Sequence, residues 1–275
     1  MSTATLPSDV IDYVCTLVRQ RSAIELDDTK GYLIEARLAP VAKRSGYSTT
    51  SEMVRALRCK PKAALQQQVV EAMTTNETSF FRDAHPFEAL RTVIVPELLK
   101  SSATRRTLNI WSAACSTGQE AYSIAMLLSE YFPELASWNV SILGTDLSDE
   151  VLAKASAGRF SQIEMNRGLP AALLAKYFRR DGFHWELDPR IRAMAIFSKL
   201  NLIEAWTTMP TMDVVFLRNV LIYFSPETKK SILKKIRGVM TPKAVLFLGA
   251  AETTMGIDDS FERVVSASSV FYRLK

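Results

Sequence analysis

The strongest constraint on this chain's fold is the stretch LNIWSAACSTGQEAYSIAMLL, residues 108–128. An apolar run gives way to small residues and then to an amphipathic pattern that opens at Thr117 or Gly118. That reads as a strand, a tight loop and a helix, the βα turn whose helix N-terminus and closely approaching backbone hold a ligand. Further apolar runs, VSILGTD, VVFLRN and AVLFLGAA, follow with helical segments between them, which predicts a parallel α/β sheet. FERVV and SVFYRL read as two closing strands with an antiparallel finish.

Before residue 100 the periodicity is helical throughout. Val10, Val14, Leu17 and Val18 form one stripe, Tyr32 to Lys43 a second, and Ala64 to Met73 a third. His85 to Lys100 reads as a longer helix bent or interrupted at Pro96. The expected organisation is therefore a helical domain over 1–90, a connecting helix and polar linker over 91–106, and an α/β domain over 107–275. An irregular insertion at about 159–200 contains YFRRDGFHWEL, whose Asp181-Gly182 pair predicts a tight hairpin.

Composition excludes several classes. With 48% hydrophobic and 23% charged residues the balance is that of an ordinary soluble domain. MSTATLPSDV has neither a cationic nor an apolar leader region, so no signal peptide is expected. No apolar run reaches the roughly 20 residues that span a bilayer, so no direct membrane insertion is expected. Cys15, Cys59 and Cys115 are scattered without a CxxC pair, which suits reduced thiols in a cytoplasm. With only two histidines, His85 and His184, no metal site is expected.

The loop ACSTGQ has one glycine where a dinucleotide fingerprint has three, no phosphate-binding lysine, and a carboxylate, Glu120, where a phosphate would sit. A second carboxylate, Asp146, falls at the end of the next strand, the place from which an acidic side chain accepts hydrogen bonds from ribose hydroxyls. Other readings exist: Thr117-x-x-Glu120 fits a capping box, and Asp146 fits the cap of the following helix. Taken together, the two carboxylates favour a ligand with adenosine and ribose but no phosphates. S-adenosylmethionine has that chemistry, with an α-ammonium for Glu120 to pair.

NETSFFRD (76–83), KLNL (199–202) and FLRNVLIYF (216–224), taken with WSAACSTGQEAYS and GTDLS, resemble the CheR-type chemotaxis receptor methyltransferases, in order and nearly end to end. The resemblance implies a Rossmann-like S-adenosylmethionine methyltransferase sheet with a small antiparallel β-subdomain, preceded by an all-α domain. It implies methylation of glutamate carboxylates on the cytoplasmic helices of chemoreceptors, with S-adenosylhomocysteine as product. Carried over by position, Asn76, Thr78 and Arg82 would touch the cofactor, Glu120 its amino group and Asp146 its ribose. Asn201-Leu202 and Asn219-Val220 would complete the adenine and methionine pockets. The second acidic residue that the family often carries after Glu120 is here Ala121. Phe80 and Phe81 read as packing at the junction between domains.

A glutamate side chain is already an anion at pH 7, so its methylation needs no general base. The enzyme's task is alignment, for which Arg82 and Tyr223 are the candidates. Docking to an acidic helical bundle calls for a basic surface. Residues 36–62 carry Arg37, Lys43, Arg44, Arg55, Arg58, Lys60 and Lys62 against Glu52 alone, within a first ninety residues of zero net charge. A merely solvated face is the alternative reading of that segment. A nucleic-acid methyltransferase is disfavoured, because RNVLIYF lacks the Asn/Asp-Pro-Pro-aromatic loop used on exocyclic amines. A non-catalytic cofactor-sensing adaptor is the remaining alternative. The short Asp-Gly connection in the insertion leaves little loop to fold over a peptide, so no C-terminal pentapeptide tether on the receptor is expected to be required.

Overall fold

A computed structural model describes residues 6–27, 29, 31–206, 208–266 and 269–275. Residues 1–5, part of the leader reading above, lie outside the described residues. Two compact units are present, one comprising residues up to Thr75 with Tyr223–Thr228, the other Asn76–Ile222 with Lys229–Lys275. The division therefore falls at Thr75, earlier than the expected boundary near residue 90.

The first unit contains α1 (Ser8–Ser22), α2 (Gly31–Arg44), α3 (Thr50–Cys59) and α4 (Ala63–Met73). The α1 stripe is buried as its spacing predicts: Val10, Val14, Leu17 and Val18 all face the core. In α2 the buried face is Ile34, Leu38, Val41 and Ala42, and Tyr32, read as the start of that stripe, is 70% exposed. Helix α3 lies inside the segment read only for its charge. Thr49 caps it by accepting from the Glu52 N–H, and Glu52 reaches back to the Ser48 N–H. Met53, Val54 and Leu57 bury its other face.

The second unit is built on a seven-stranded sheet in the order β6-β2-β1-β7-β8-β10-β9. Its strands are β1 (Thr107–Ala113), β2 (Asn139–Asp146), β6 (Ala195–Lys199), β7 (Met212–Leu217), β8 (Met240–Leu248), β9 (Phe261–Ser266) and β10 (Ser269–Leu274). The pairings β6-β2, β2-β1, β1-β7 and β7-β8 are parallel, whereas β10 runs antiparallel to both neighbours. Every residue of β7 is buried, which is why the run read as continuous apolar sequence. The buried acid in it, Asp213, is satisfied by the Arg105 guanidinium at 2.6 Å and the Asn109 N–H at 2.9 Å.

A three-stranded antiparallel sheet, order β3-β5-β4, is formed by Arg159–Ser161, His184–Leu187 and Phe178–Asp181. Asp181 pairs with His184, so the two-residue turn is Gly182-Phe183 rather than Asp181-Gly182, with the glycine at φ +59° in its first position. The expected insertion extended to residue 200, but its last part forms β6 at the edge of the large sheet. The helix expected over 85–100 is a continuous run: α5 (His85–Ala89), a π-helical turn (Leu90–Ile94) and α6 (Val95–Ser101). The Val95 N–H reaches back to the Leu90 carbonyl, widening the turn just ahead of Pro96, which has no N–H to give.

The chain winds outward from β1 in one direction to β2 and β6, then in the other to β7 and β8. The switch point therefore lies between the carboxyl ends of β1 and β7, where open α/β sheets take ligands.

Candidate active site

Helix α7 (Gln119–Tyr131) opens one residue or two later than its pattern suggested, and it is a core helix, with Ala121 to Leu128 all buried. The loop between β1 and α7 bends through three left-handed residues, Ala114 at φ +55°, Ser116 at φ +50° and Gly118 at φ +90°. Two of the three carry a side chain, at a cost of roughly 1–2 kcal/mol each. At Gly118 space adds to the constraint, since a Cβ there would sit 2.9 Å from the Ala155 Cβ. The bends are held by Cys115 N–H on the Thr145 carbonyl and Ser116 N–H on Asp146 Oδ2, both at 2.9 Å.

Neither helix-capping reading of the two carboxylates matches the structure. Gly118 occupies the N-cap of α7 with no side-chain cap, and Thr117 donates to Gln119 Oε1. Glu120 accepts from the Ser112 hydroxyl at 2.7 Å and from Arg218 Nη1 at 2.9 Å. Asp146 closes β2, buried, with Oδ1 on the Ser148 N–H at 3.1 Å. The cap of α8 (Asp149–Ala157) is Ser148.

The remaining expected ligands occupy neighbouring strand ends and the segment before α5. The Asn76 carbonyl accepts from the Ser116 hydroxyl at 2.8 Å, and Phe81 N–H donates to Ser123 Oγ at 2.9 Å, which lays residues 76–81 along the β1–α7 loop. Thr78 is half-buried, and Arg82, also half-buried, donates from Nη1 to the Glu77 carbonyl at 2.9 Å. Phe80 is fully buried against Phe160 and Phe178, as packing predicts. Asn201 and Leu202 follow β6, where Lys235 donates to the Leu202 carbonyl and, at 2.7 Å, to that of Glu204. Burial lowers the Lys235 pKa, with Glu204 opposing it, and the ammonium sits 4.6 Å over the Trp206 ring. Tyr223 groups with the helical unit, where its carbonyl accepts from Glu25 N–H at 3.0 Å.

Two residues passed over in the sequence organise this site. Glu252 gathers four N–H groups: Asn219 and Val220 at 2.8 Å, Gly249 at 2.6 Å and Ile222 at 3.3 Å. That cradle holds Asn219 in its left-handed conformation, φ +58°. Arg218 directly follows β7, a strand buried along its whole length, and is itself buried. The crevice floor is electronegative. Burial pushes the Cys115 thiol well up, and the Asp146 and Glu120 carboxylates add to the shift.

In the helical unit Arg37 is committed internally. Its guanidinium donates to the Met73 and Thr74 carbonyls and to Thr75 Oγ1, closing the end of α4. Lys43, Arg44, Arg55, Arg58, Lys60 and Lys62 are exposed. Among the described residues no group of three or more His, Cys, Asp or Glu is placed to hold a metal, and no helix is long and apolar enough to cross a membrane.

The donor set suits one kind of ligand. Carboxylates stand at the first turn of α7 and at the end of β2, and the left-handed loop offers no lysine for a pyrophosphate. With the reversal of strand order at β1, these features define a Rossmann-like methyltransferase that draws on S-adenosylmethionine. Known proteins place it more closely. The family model "CheR methyltransferase, SAM binding domain" matches residues 76–270, and "CheR methyltransferase, all-alpha domain" matches 9–74. Chemotaxis protein methyltransferase 1 of Pseudomonas aeruginosa is 40% identical over 92% of this chain and 93% of its own. Chemotaxis protein methyltransferase Cher2 of Pseudomonas putida is 38% identical over the same shares, and chemotaxis protein methyltransferase 1 of Vibrio cholerae 34% identical over 100% of both chains. The chain belongs to the CheR methyltransferase family, and S-adenosylmethionine is its cofactor.

Proposed function

We propose that this methyltransferase esterifies glutamate side chains on the cytoplasmic helices of chemoreceptors, working in the cytoplasm. The observation that carries the reading is a crevice that presents carboxylates and arginines, with His85 exposed at its lining beside Asp83 and Arg218. Such a site suits an acceptor that arrives already ionised and needs alignment rather than deprotonation. The names of the relatives place the reaction in chemotaxis.

S-adenosylmethionine, when bound, supplies an activated methyl group and leaves as S-adenosylhomocysteine. Glu120 would pair its ammonium and Asp146 its ribose diol, while Asn76, Thr78, Asn201, Leu202, Asn219 and Val220 would complete the pocket. Arg82 is the proposed orienting cation for the incoming carboxylate, because its guanidinium is half-exposed and bound only lightly, to a backbone carbonyl. Tyr223 is proposed from the resemblance as a hydrogen-bond donor to that carboxylate. The exposed cations from Lys43 to Lys62 are the proposed docking surface for the acidic receptor helix. Arg37, tied to the end of α4, contributes to the shape of that surface more than to its free charge.

The test is incubation with labelled S-adenosylmethionine and receptor-containing membranes. Label that is released by mild base, as expected of a methyl ester, supports the proposal. Base-stable label, or label on nucleic acid, overturns it.

A further inference from the structure

Arg218 is buried, with its side chain only 2% exposed. Nη1 donates to Glu120 Oε2 at 2.9 Å, and Nη2 donates to Asp83 Oδ2 at 2.7 Å and to the Arg82 carbonyl at 2.9 Å. Its Nε is buried without a partner, and the guanidinium carbon lies 5.9 Å from the Phe87 ring centre. A buried guanidinium is costly unless geometry and pairing compensate. Here it faces two carboxylates, so the cluster holds one negative charge more than positive. Asp83 is 45% exposed and solvated, whereas Glu120 is 13% exposed. Glu120 is thus the more buried of the two carboxylates, and after burial itself Asp146 and Glu120 raise the Cys115 thiol.

The Glu120 carboxylate is gripped from two strands. Ser112 of β1 holds Oε1, and Arg218 beyond β7 holds Oε2. One donor on each oxygen fixes the plane of the group and leaves each oxygen a lone pair for a further cation. The same guanidinium holds the backbone of Arg82. We infer that Arg218 is a positioning residue, which orients Glu120 to receive the ammonium of the cofactor and ties that carboxylate to the Arg82 segment. The inference rests on the reading that Glu120 pairs the ammonium.

The experiment compares two probes, S-adenosylhomocysteine and its analogue lacking the α-amino group, by calorimetry on the full-length protein. Wild type should prefer the amine-bearing probe by about tenfold or more, the scale of a charge-assisted hydrogen bond. Arg218→Met should lose most of that preference while binding the deaminated probe within about twofold of wild type. Arg218→Lys, which retains the buried charge and so guards against failure to fold, should lose part of the preference. It should also lower kcat, because one ammonium cannot hold Glu120 and the Arg82 carbonyl together. Equal weakening of both probes in Arg218→Met would reduce Arg218 to a structural tie and overturn the inference, as would unchanged preference and turnover in Arg218→Lys. Glu120→Gln separates the two levels. Loss of the preference there upholds the pairing of Glu120 with the ammonium whatever Arg218 does, and its retention overturns that reading and the inference with it.

Discussion

Asp146 does two things with one carboxylate. It braces the loop by accepting from Ser116 and Ser148, and it stands at the strand end where a ribose diol would approach. Asp146→Ala should weaken binding of S-adenosylhomocysteine by about 1–3 kcal/mol, read by isothermal titration. Unchanged affinity in the folded variant would leave only the bracing. Cys115 gives a second residue-level prediction. Burial first, then Asp146 and Glu120, favour its protonated form, so the thiol stays neutral in mildly alkaline solution. Because the folded state holds that proton more tightly than the unfolded one, the thiol's contribution to stability is present below the ordinary thiol range and declines as pH rises past it. In native protein at about pH 8, mass spectrometry after alkylation should find Cys59, which is exposed, modified and Cys115 untouched. Modification of Cys115 at the same rate would contradict this burial. Glu120 and Asp146 were legible because each sits at a fixed place in a strand–loop–helix pattern. Arg218 and Glu252 were not, because their partners lie 98 to 136 and 30 to 33 residues away along most of their bonds and no local pattern registers such pairings.

At the scale of elements, β1, β2, β7 and β8 could be read because each carries a run of apolar residues, as central strands of a parallel sheet do. Strand β6 could not, since as an edge strand its five residues are mostly outside the core. Helix α3 was obscured by its own charges, although Thr49-x-x-Glu52 ahead of Met53 and Val54 is a start signal. The β1–α7 turn shows how such a signal misleads: Thr117-x-x-Glu120 has the right letters, but a left-handed Gly118 takes the cap and sends Glu120 into the crevice. Gly118→Ala should cost about 1–3 kcal/mol in thermal unfolding, from the left-handed backbone and the approach to Ala155. A neutral effect would argue against that conformation. On α3, reversing charge at Arg55 and Arg58 should slow methylation of whole receptor without changing cofactor affinity. The difference should shrink as salt rises, because screening acts over about 10 Å at 0.1 M. Equal salt dependence in both proteins would remove the steering role. In the small sheet, the Gly182-Phe183 turn leaves no loop to close over a peptide, and Phe183 at its tip is 91% exposed. A receptor C-terminal pentapeptide should therefore give no heat in calorimetry, whereas micromolar binding would show that the tether is used after all.

For the whole molecule, fold and chemistry converge on alignment. A sheet that reverses its winding at β1 brings strand ends from distant parts of the chain to one crevice, and the groups delivered there are carboxylates, amides and arginines. None of the proposed roles requires a group of near-neutral pKa, so the methylation rate should be flat between about pH 6 and 8.5. A bell-shaped profile abolished by replacing His85 or His184 would require a different mechanism. The chemistry of this crevice is decided by what receives the methyl group. The most direct measurement is mass-spectrometric mapping of methyl groups on a receptor cytoplasmic domain after reaction with the wild-type enzyme and with Arg82→Ala. The expected result is methyl ester confined to glutamate side chains of the receptor helices, strongly reduced by Arg82→Ala although that variant still binds S-adenosylhomocysteine. Methyl groups on amines, or a receptor left unmodified by the wild-type enzyme, would contradict it.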